Sequence, residues 1–149
     1  MSILETPTPD SFISTMFTLE NRKYFECTLD EKLNCVPIIK EIISLANEGR
    51  KGGALALEEA IEHSDNLFLK RGIILIVDGT DPYLLKSMLE SLMVASGKCG
   101  IELLKQLVMA TGLLSILAGE NPRIIAEKLL FILGDEVLTK INSKMILET

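Results

Sequence analysis

The stretch RGIILIVDGTDPYLLKSMLESLM, residues 71–93, limits the fold more than any other part of the chain. Gly79 is suited to end a helix in the left-handed conformation, Asp81 to cap the next helix with its side chain, and Pro82 to occupy the first turn, where its missing N–H costs nothing. An apolar run on each side of that punctuation commits the chain to two helices joined by a tight turn. After the turn, Leu84, Leu85, Met88, Leu89, Leu92 and Met93 recur with a period near 3.6, as do Ile38, Ile39, Ile42, Ile43 and Ala46 in residues 37–46. The run 73–77 by itself fits a buried strand equally well, but its place inside 66–77, closed by Gly79, assigns it to a helix. That helix is apolar enough to be buried on every side. The expected fold class is all-α, a compact helical bundle or stacked helical hairpins.

The same punctuation returns forty residues later. Ile61, Glu62, Leu67, Gly72, Ile76, Gly79, Pro82 and Leu89 find their own residue types at Ile101, Glu102, Leu107, Gly112, Ile116, Gly119, Pro122 and Leu129, and DGTDP is echoed by AGENP. A period near 40 residues is that of stacked helical repeats. Two adjacent hairpins sharing apolar periodicity and Gly–Pro punctuation would look the same, and both explanations stay open. In either case Gly79, Asp81, Pro82, Gly119 and Pro122 are expected to be structural turn residues.

A chain of 149 residues is the size of one domain able to bury roughly two-thirds of its unfolded surface. Residues 31–149 form the expected helical domain. Residues 1–30 are an N-terminal extension, partly flexible, whose segment 11–30 holds Phe12, Phe17, Tyr24 and Phe25 and reads as a strand pair or a short helix over the bundle. The net charge of −6 and pI near 4.9 argue against nucleic acid as a partner, because phosphate binding needs clustered Lys and Arg. Cys27, Cys35 and Cys99 have neither metal-ligand spacing nor an even count, and read as reduced thiols. The start MSILETPTPD is not a secretory signal.

Mean hydropathy of +0.33 calls for a direct check for membrane spans. The longest charge-free run, residues 106–119, has 14 residues against the ~18–20 needed to cross hydrocarbon, and Glu102, Lys105, Glu120 and Arg123 flank it. The chain is therefore expected to be soluble, with membrane-surface association the less favoured choice. The run 106–119 should pack as a central helix or at an oligomer interface.

Chemistry is thinly represented. Glu58, Glu59 and Glu62 stand near His63 and Asp65, but paired carboxylates do acid–base work only when burial separates their pKa values, and nothing in this polar stretch buries them. His63 is the only histidine and has no Ser or Cys motif beside it, and the cluster has no second neutral ligand at helical spacing for a metal. A solvated helix face is the plain reading, with no enzyme, metal or cofactor implied. VDGTDP has one glycine, no following Lys and two aspartates, so it is a capping device and not a phosphate loop.

The stretch EGRKGGALALEEAIEHSDNLFLKRGIILIVDGTDPYLLKSMLE, residues 48–90, resembles the cytoplasmic segment of the flagellar motor stator protein MotA, of the MotA/TolQ/ExbB proton channel family. The words that carry the resemblance are Arg50, Gly53, Leu57, Glu58 and Glu59, then Phe68-Leu69-Lys70-Arg71-Gly72, then Val77-Asp78-Gly79-Thr80-Asp81-Pro82. Residues 110–122 and 124–138 look like worn forms of the family's third and fourth spans. The channel-lining proline is missing there, since Ile101, Leu103 and Leu104 occupy its region, and Glu102, Lys105, Glu127, Lys128, Asp135 and Glu136 put charge where lipid would be. Residues 1–47 are not expected to supply the first two spans. The resemblance thus implies a bacterial, cytoplasmic interaction module without ion conduction, with a position peripheral to the inner membrane left open.

It also implies a partner: a rotor switch protein of the FliG type, met by the charges that fall on Arg50 and Glu58, with Glu59 and Glu62 beside them. On an unbroken helix Arg50, Ala54 and Glu58 would share a stripe ~12 Å long, able to steer a complementary surface. Gly52 and Gly53 weaken the case for that continuity. Self-assembly into a homo-oligomer is a further expected use, and a generic helical-repeat scaffold with an unrelated protein partner is the alternative.

Overall fold

The computed structural model describes residues 16–148, and its regular elements are all helical. A short 3-10 turn, Arg22–Phe25, precedes α1 (Leu29–Leu33), α2 (Val36–Ile61), α3 (Leu67–Val77), α4 (Pro82–Ser96), α5 (Ile101–Ala118), α6 (Pro122–Leu133), α7 (Asp135–Leu138) and α8 (Ser143–Leu147). No strand occurs among the described residues. Local signals explain most boundaries. The Thr28 hydroxyl accepts from Glu31 N while the Glu31 carboxylate accepts from Thr28 N, a reciprocal cap that starts α1. Asn66, Asp81, Asn121 and Asn142 cap α3, α4, α6 and α8 through their side-chain oxygens.

Helix α5 is the centre of the bundle. Residues 106–115 are buried without interruption, including the polar Gln106, Thr111 and Ser115. Helices α2, α3, α4 and α6 all pack on it. Two glycines allow the closest approaches: a Cβ on Gly72 of α3 would lie 2.2 Å from Leu113 Cδ1, and one on Gly112 of α5 would lie 2.8 Å from Ile42 Cγ2 of α2. Small residues at these crossings let the backbones come together.

Two expectations need correction. Helix α3 is not buried on every side: Phe68, Leu69, Gly72 and Ile73 turn inward, whereas Leu67 and Ile74 are 61% and 49% exposed. It lies at the outside of the bundle, covered by α2 and α5, and α5 has the all-round burial instead. The second concerns length. Ile101, Leu103 and Leu104 extend the apolar run, so that α5 reaches 18 residues and is long and apolar enough to cross a membrane by length and composition; 67% of that window is buried inside the bundle.

Of the segment 11–30, residues 11–15, with Phe12, lie outside the described residues. The remainder takes the helical option, with the 3-10 turn and the start of α1 and no strand pair. Phe25 is buried in the core and meets Phe17 edge to face at 5.1 Å.

Candidate functional site

The candidate surface is built around a break in α2. Gly53 has φ 70° and ψ −154°, a non-helical conformation inside an otherwise helical segment, and glycine tolerates it without the steric penalty other residues meet. Residues 50–55 are all exposed, while Leu57 and Ile61 beyond the break return to the core. Core contacts therefore hold the two halves of α2 in different directions. The stripe expected from i, i+4, i+8 spacing does not exist, because Ala54 and Glu58 belong to the half beyond the break.

Arg50 and Glu58 line different depressions. Arg50 borders a cleft of about 280 Å³ with Gly49, Gly53, Leu57, Gly119 and Glu120. Its Nη1 donates to the Glu120 carbonyl at 3.4 Å, which ties α2 to the α5–α6 turn. Glu58 stands beside a notch of about 50 Å³ with Ile61, Ile73, Ile74, Val77 and Asp78. Glu58, Glu59 and Glu62 are exposed and have no ion-pair partner among the described residues, and the Glu62 carbonyl accepts from Lys70 Nζ at 3.5 Å. The structure thus brings the acidic residues onto one short exposed segment, and places Arg50 apart from them against the turn after α5.

That turn carries a contact the sequence did not announce. Glu120 pairs with Lys128 at 2.8 Å, both side chains largely withdrawn from solvent, and Lys128 Nζ also reaches Ser115 Oγ at 3.4 Å. Glu120 and Lys128 are eight residues apart across Pro122, so no helical spacing rule joins them.

The two turns are closely alike. Gly79 (φ 86°) donates to Ile76 O and Thr80 N donates to Leu75 O, both at 3.1 Å; Gly119 (φ 72°) donates to Ile116 O at 3.1 Å and Glu120 N to Ser115 O at 3.2 Å. Pro82 and Pro122 open the following helices, behind the caps Asp81 and Asn121.

Little in the described residues favours reaction chemistry. No group of three His, Cys, Asp or Glu side chains placed to hold a metal ion occurs among them. Burial pushes the Cys35 thiol up to about 11 and raises that of Cys27, which keeps both protonated at neutral pH and poor as nucleophiles. His63 is exposed, and its neighbour Ser64 spends its hydroxyl on the Glu41 carboxylate.

Comparison with known proteins finds similarity to proteins named Motility protein A. The chain is 41% identical to that of Borreliella burgdorferi over 54 residues, 36% of this chain and 21% of the relative. It is 39% identical to that of Helicobacter pylori over 64 residues, 43% and 24% of the two chains, and 30% identical to that of Treponema phagedenis over 83 residues, 56% and 30%. These matches show a MotA-like relationship, over a fifth to three-tenths of each relative's length. No protein-family model matches the chain, and no solved structure matches it significantly.

Proposed function

We propose that this MotA-related chain is a non-catalytic interaction module of a flagellar motor, equivalent to the rotor-facing cytoplasmic region of a stator subunit and not itself an ion conductor. The observation that carries the reading is the similarity to several Motility protein A sequences, at 30–41% identity. The partner is a protein, and the FliG type of rotor switch protein is the one the charges suit. Arg50 meets it at the cleft beside Glu120, and Glu58, Glu59 and Glu62 meet it from the short segment beyond Gly53. Two separated charge sites fix orientation better than one point charge and raise the rate of productive encounter. The burial of two-thirds of α5 within the bundle supports its role as a core helix.

Charge reversal tests the reading. Arg50→Glu and Glu58→Lys, alone and together, are titrated against a purified FliG-type protein at two salt concentrations, with helicity followed by circular dichroism. The expected result is binding weakened by about tenfold or more per reversal at unchanged helicity, since desolvated charge contacts are worth more than rim contacts. Unchanged affinity in the double variant overturns the assignment of these residues.

A further inference from the structure

Helix α8 packs against α6 and is held there by Ile146, which is buried in the core. Between the two helices lies a cleft of about 310 Å³, lined by Arg123 from the first turn of α6, by Ser143, Lys144 and Leu147 of α8, and by Glu148 just beyond it.

The fold leaves the polar groups of this cleft without partners. Ser143 is only 8% exposed, yet its hydroxyl makes no hydrogen bond among the described residues, and its oxygen is not sealed in the interior as those of Gln106 and Thr111 are. A withdrawn hydroxyl in that state carries a desolvation cost that a bound acceptor removes. The Arg123 side chain has no ion-pair or hydrogen-bond partner among the described residues, and Glu127, one turn further along α6, does not pair with it. Lys144 meets only Glu148, at 4.0 Å between exposed side chains, a contact weak enough to leave the ammonium available. The backbone at the start of α6 has no donors to offer, since Pro122 lacks an N–H and those of Arg123, Ile124 and Ile125 are bonded to Asn121. It contributes the positive end of the helix dipole.

We propose that this cleft binds a phosphate monoester, with Arg123, Lys144 and Ser143 donating to its phosphate oxygens. A carboxylate presents two oxygens in one plane, which a single guanidinium pairs side by side. A phosphate adds a third oxygen out of that plane, to which a second cation and a hydroxyl on a separate helix can donate. The cleft is larger than a bare phosphate, and Leu147, 37% exposed, gives the organic part of the ester an apolar wall. Glu148 opposes the anion from the same cleft and lowers its affinity. The site shares no residue with the surface of Arg50 and Glu58, so it stands or falls separately from the partner reading.

Titration of the full chain with inorganic phosphate, followed by chemical-shift changes at the amides of Arg123, Ser143 and Lys144, tests the proposal. Saturable binding with Kd near ~1 mM is expected for so small a probe. Ser143→Ala removes a hydroxyl that holds nothing in the protein, so it should leave the melting temperature unchanged or raised while weakening phosphate about threefold. Arg123→Gln should weaken it about tenfold, and Glu148→Gln should tighten it about threefold. Arg22→Gln removes a cation that lines a separate cleft, changes the net charge as Arg123→Gln does, and should have no effect. Glycerol 3-phosphate and vesicles of phosphatidic acid in phosphatidylcholine separate a soluble ester from a lipid headgroup, and binding of either that Arg123→Gln weakens supports the site. No saturable binding at ~20 mM phosphate overturns the proposal, as does binding indifferent to Arg123→Gln and Ser143→Ala or equal loss in Arg22→Gln. Binding of inorganic phosphate with neither ester bound, or of acetate as tightly as phosphate, overturns it as well.

Discussion

The hairpins α3–α4 and α5–α6 share a turn almost bond for bond, yet one lies at the outside of the bundle and the other at its centre. Leu67 and Leu107 occupy corresponding positions forty residues apart, and the first is 61% exposed while the second is fully buried. Gly72 and Gly112 correspond as well, and both are sites of close helix approach, but Gly72 meets α5 and Gly112 meets α2. The difference teaches that turn chemistry sets the angle and register of a helix pair, whereas burial is set by how many other elements surround it. Helix α3 has cover on one side. Helix α5 has α2, α3, α4 and α6 around it.

The sharpest way to break the comparison is to remove the same side chain from both hairpins. Leu107→Ala should cost about 2–5 kcal/mol, because a cavity is left in a core that several helices enclose. Leu67→Ala should cost less than about 0.5 kcal/mol, since solvent already surrounds that side chain. Urea unfolding followed by circular dichroism measures both. Comparable losses would mean that Leu67 is covered in solution, against its exposure in the structure.

Much of this was legible in the sequence where the cause is local. Gly79, Asp81 and Pro82 announce a turn because each has a backbone reason to be there, and the neighbours that satisfy it are within six residues. Composition left residues 106–119 either a central helix or an oligomer interface, and the fold takes the first, with a helix longer than the charge-free run because Ile101, Leu103 and Leu104 continue its apolar face. The all-round burial expected of residues 71–77 was not found, since an apolar run does not state how many helices will pack against it. The straight Arg50–Glu58 stripe failed for a related reason. Gly53 permits a break, and the burial of Leu57 and Ile61 holds the two halves of α2 apart. The Glu120–Lys128 pair left no signal at all, because it spans a turn and needs the folded hairpin to exist.

A smaller effect sharpens the comparison at the helix crossings. Gly72→Ala and Gly112→Ala each insert one methyl group where neighbours stand at 2.2 and 2.8 Å, and each should destabilise by about 1–3 kcal/mol. Gly72→Ala should be the costlier despite its outer hairpin, because its methyl group would overlap Leu113 more deeply than that of Gly112→Ala overlaps Ile42, and both neighbours are fully buried. Thermal melts of the two variants give the order. A milder effect at Gly72 would show that α3 can shift outward, as an element covered on one side is free to do.

The caps provide the finest comparison, since there the two hairpins should behave alike. Asp81 Oδ1 accepts from Leu84 N at 3.0 Å and Asn121 Oδ1 from Arg123 N at 2.9 Å, both at exposed positions. Loss of either bond frees one backbone N–H at the start of a helix, where water can reach it, so the burial of the helix behind the cap has no influence on the cost. Asp81→Ala and Asn121→Ala should therefore each cost about 1 kcal/mol, and denaturant midpoints at constant slope should fall together. A larger loss at Asn121 would locate additional coupling in its neighbour Glu120, which joins the turn to Lys128 and receives Arg50 on its carbonyl. In that case Arg50→Ala combined with Asn121→Ala should show a non-additive interaction, while the same Arg50 change combined with Asp81→Ala should simply sum.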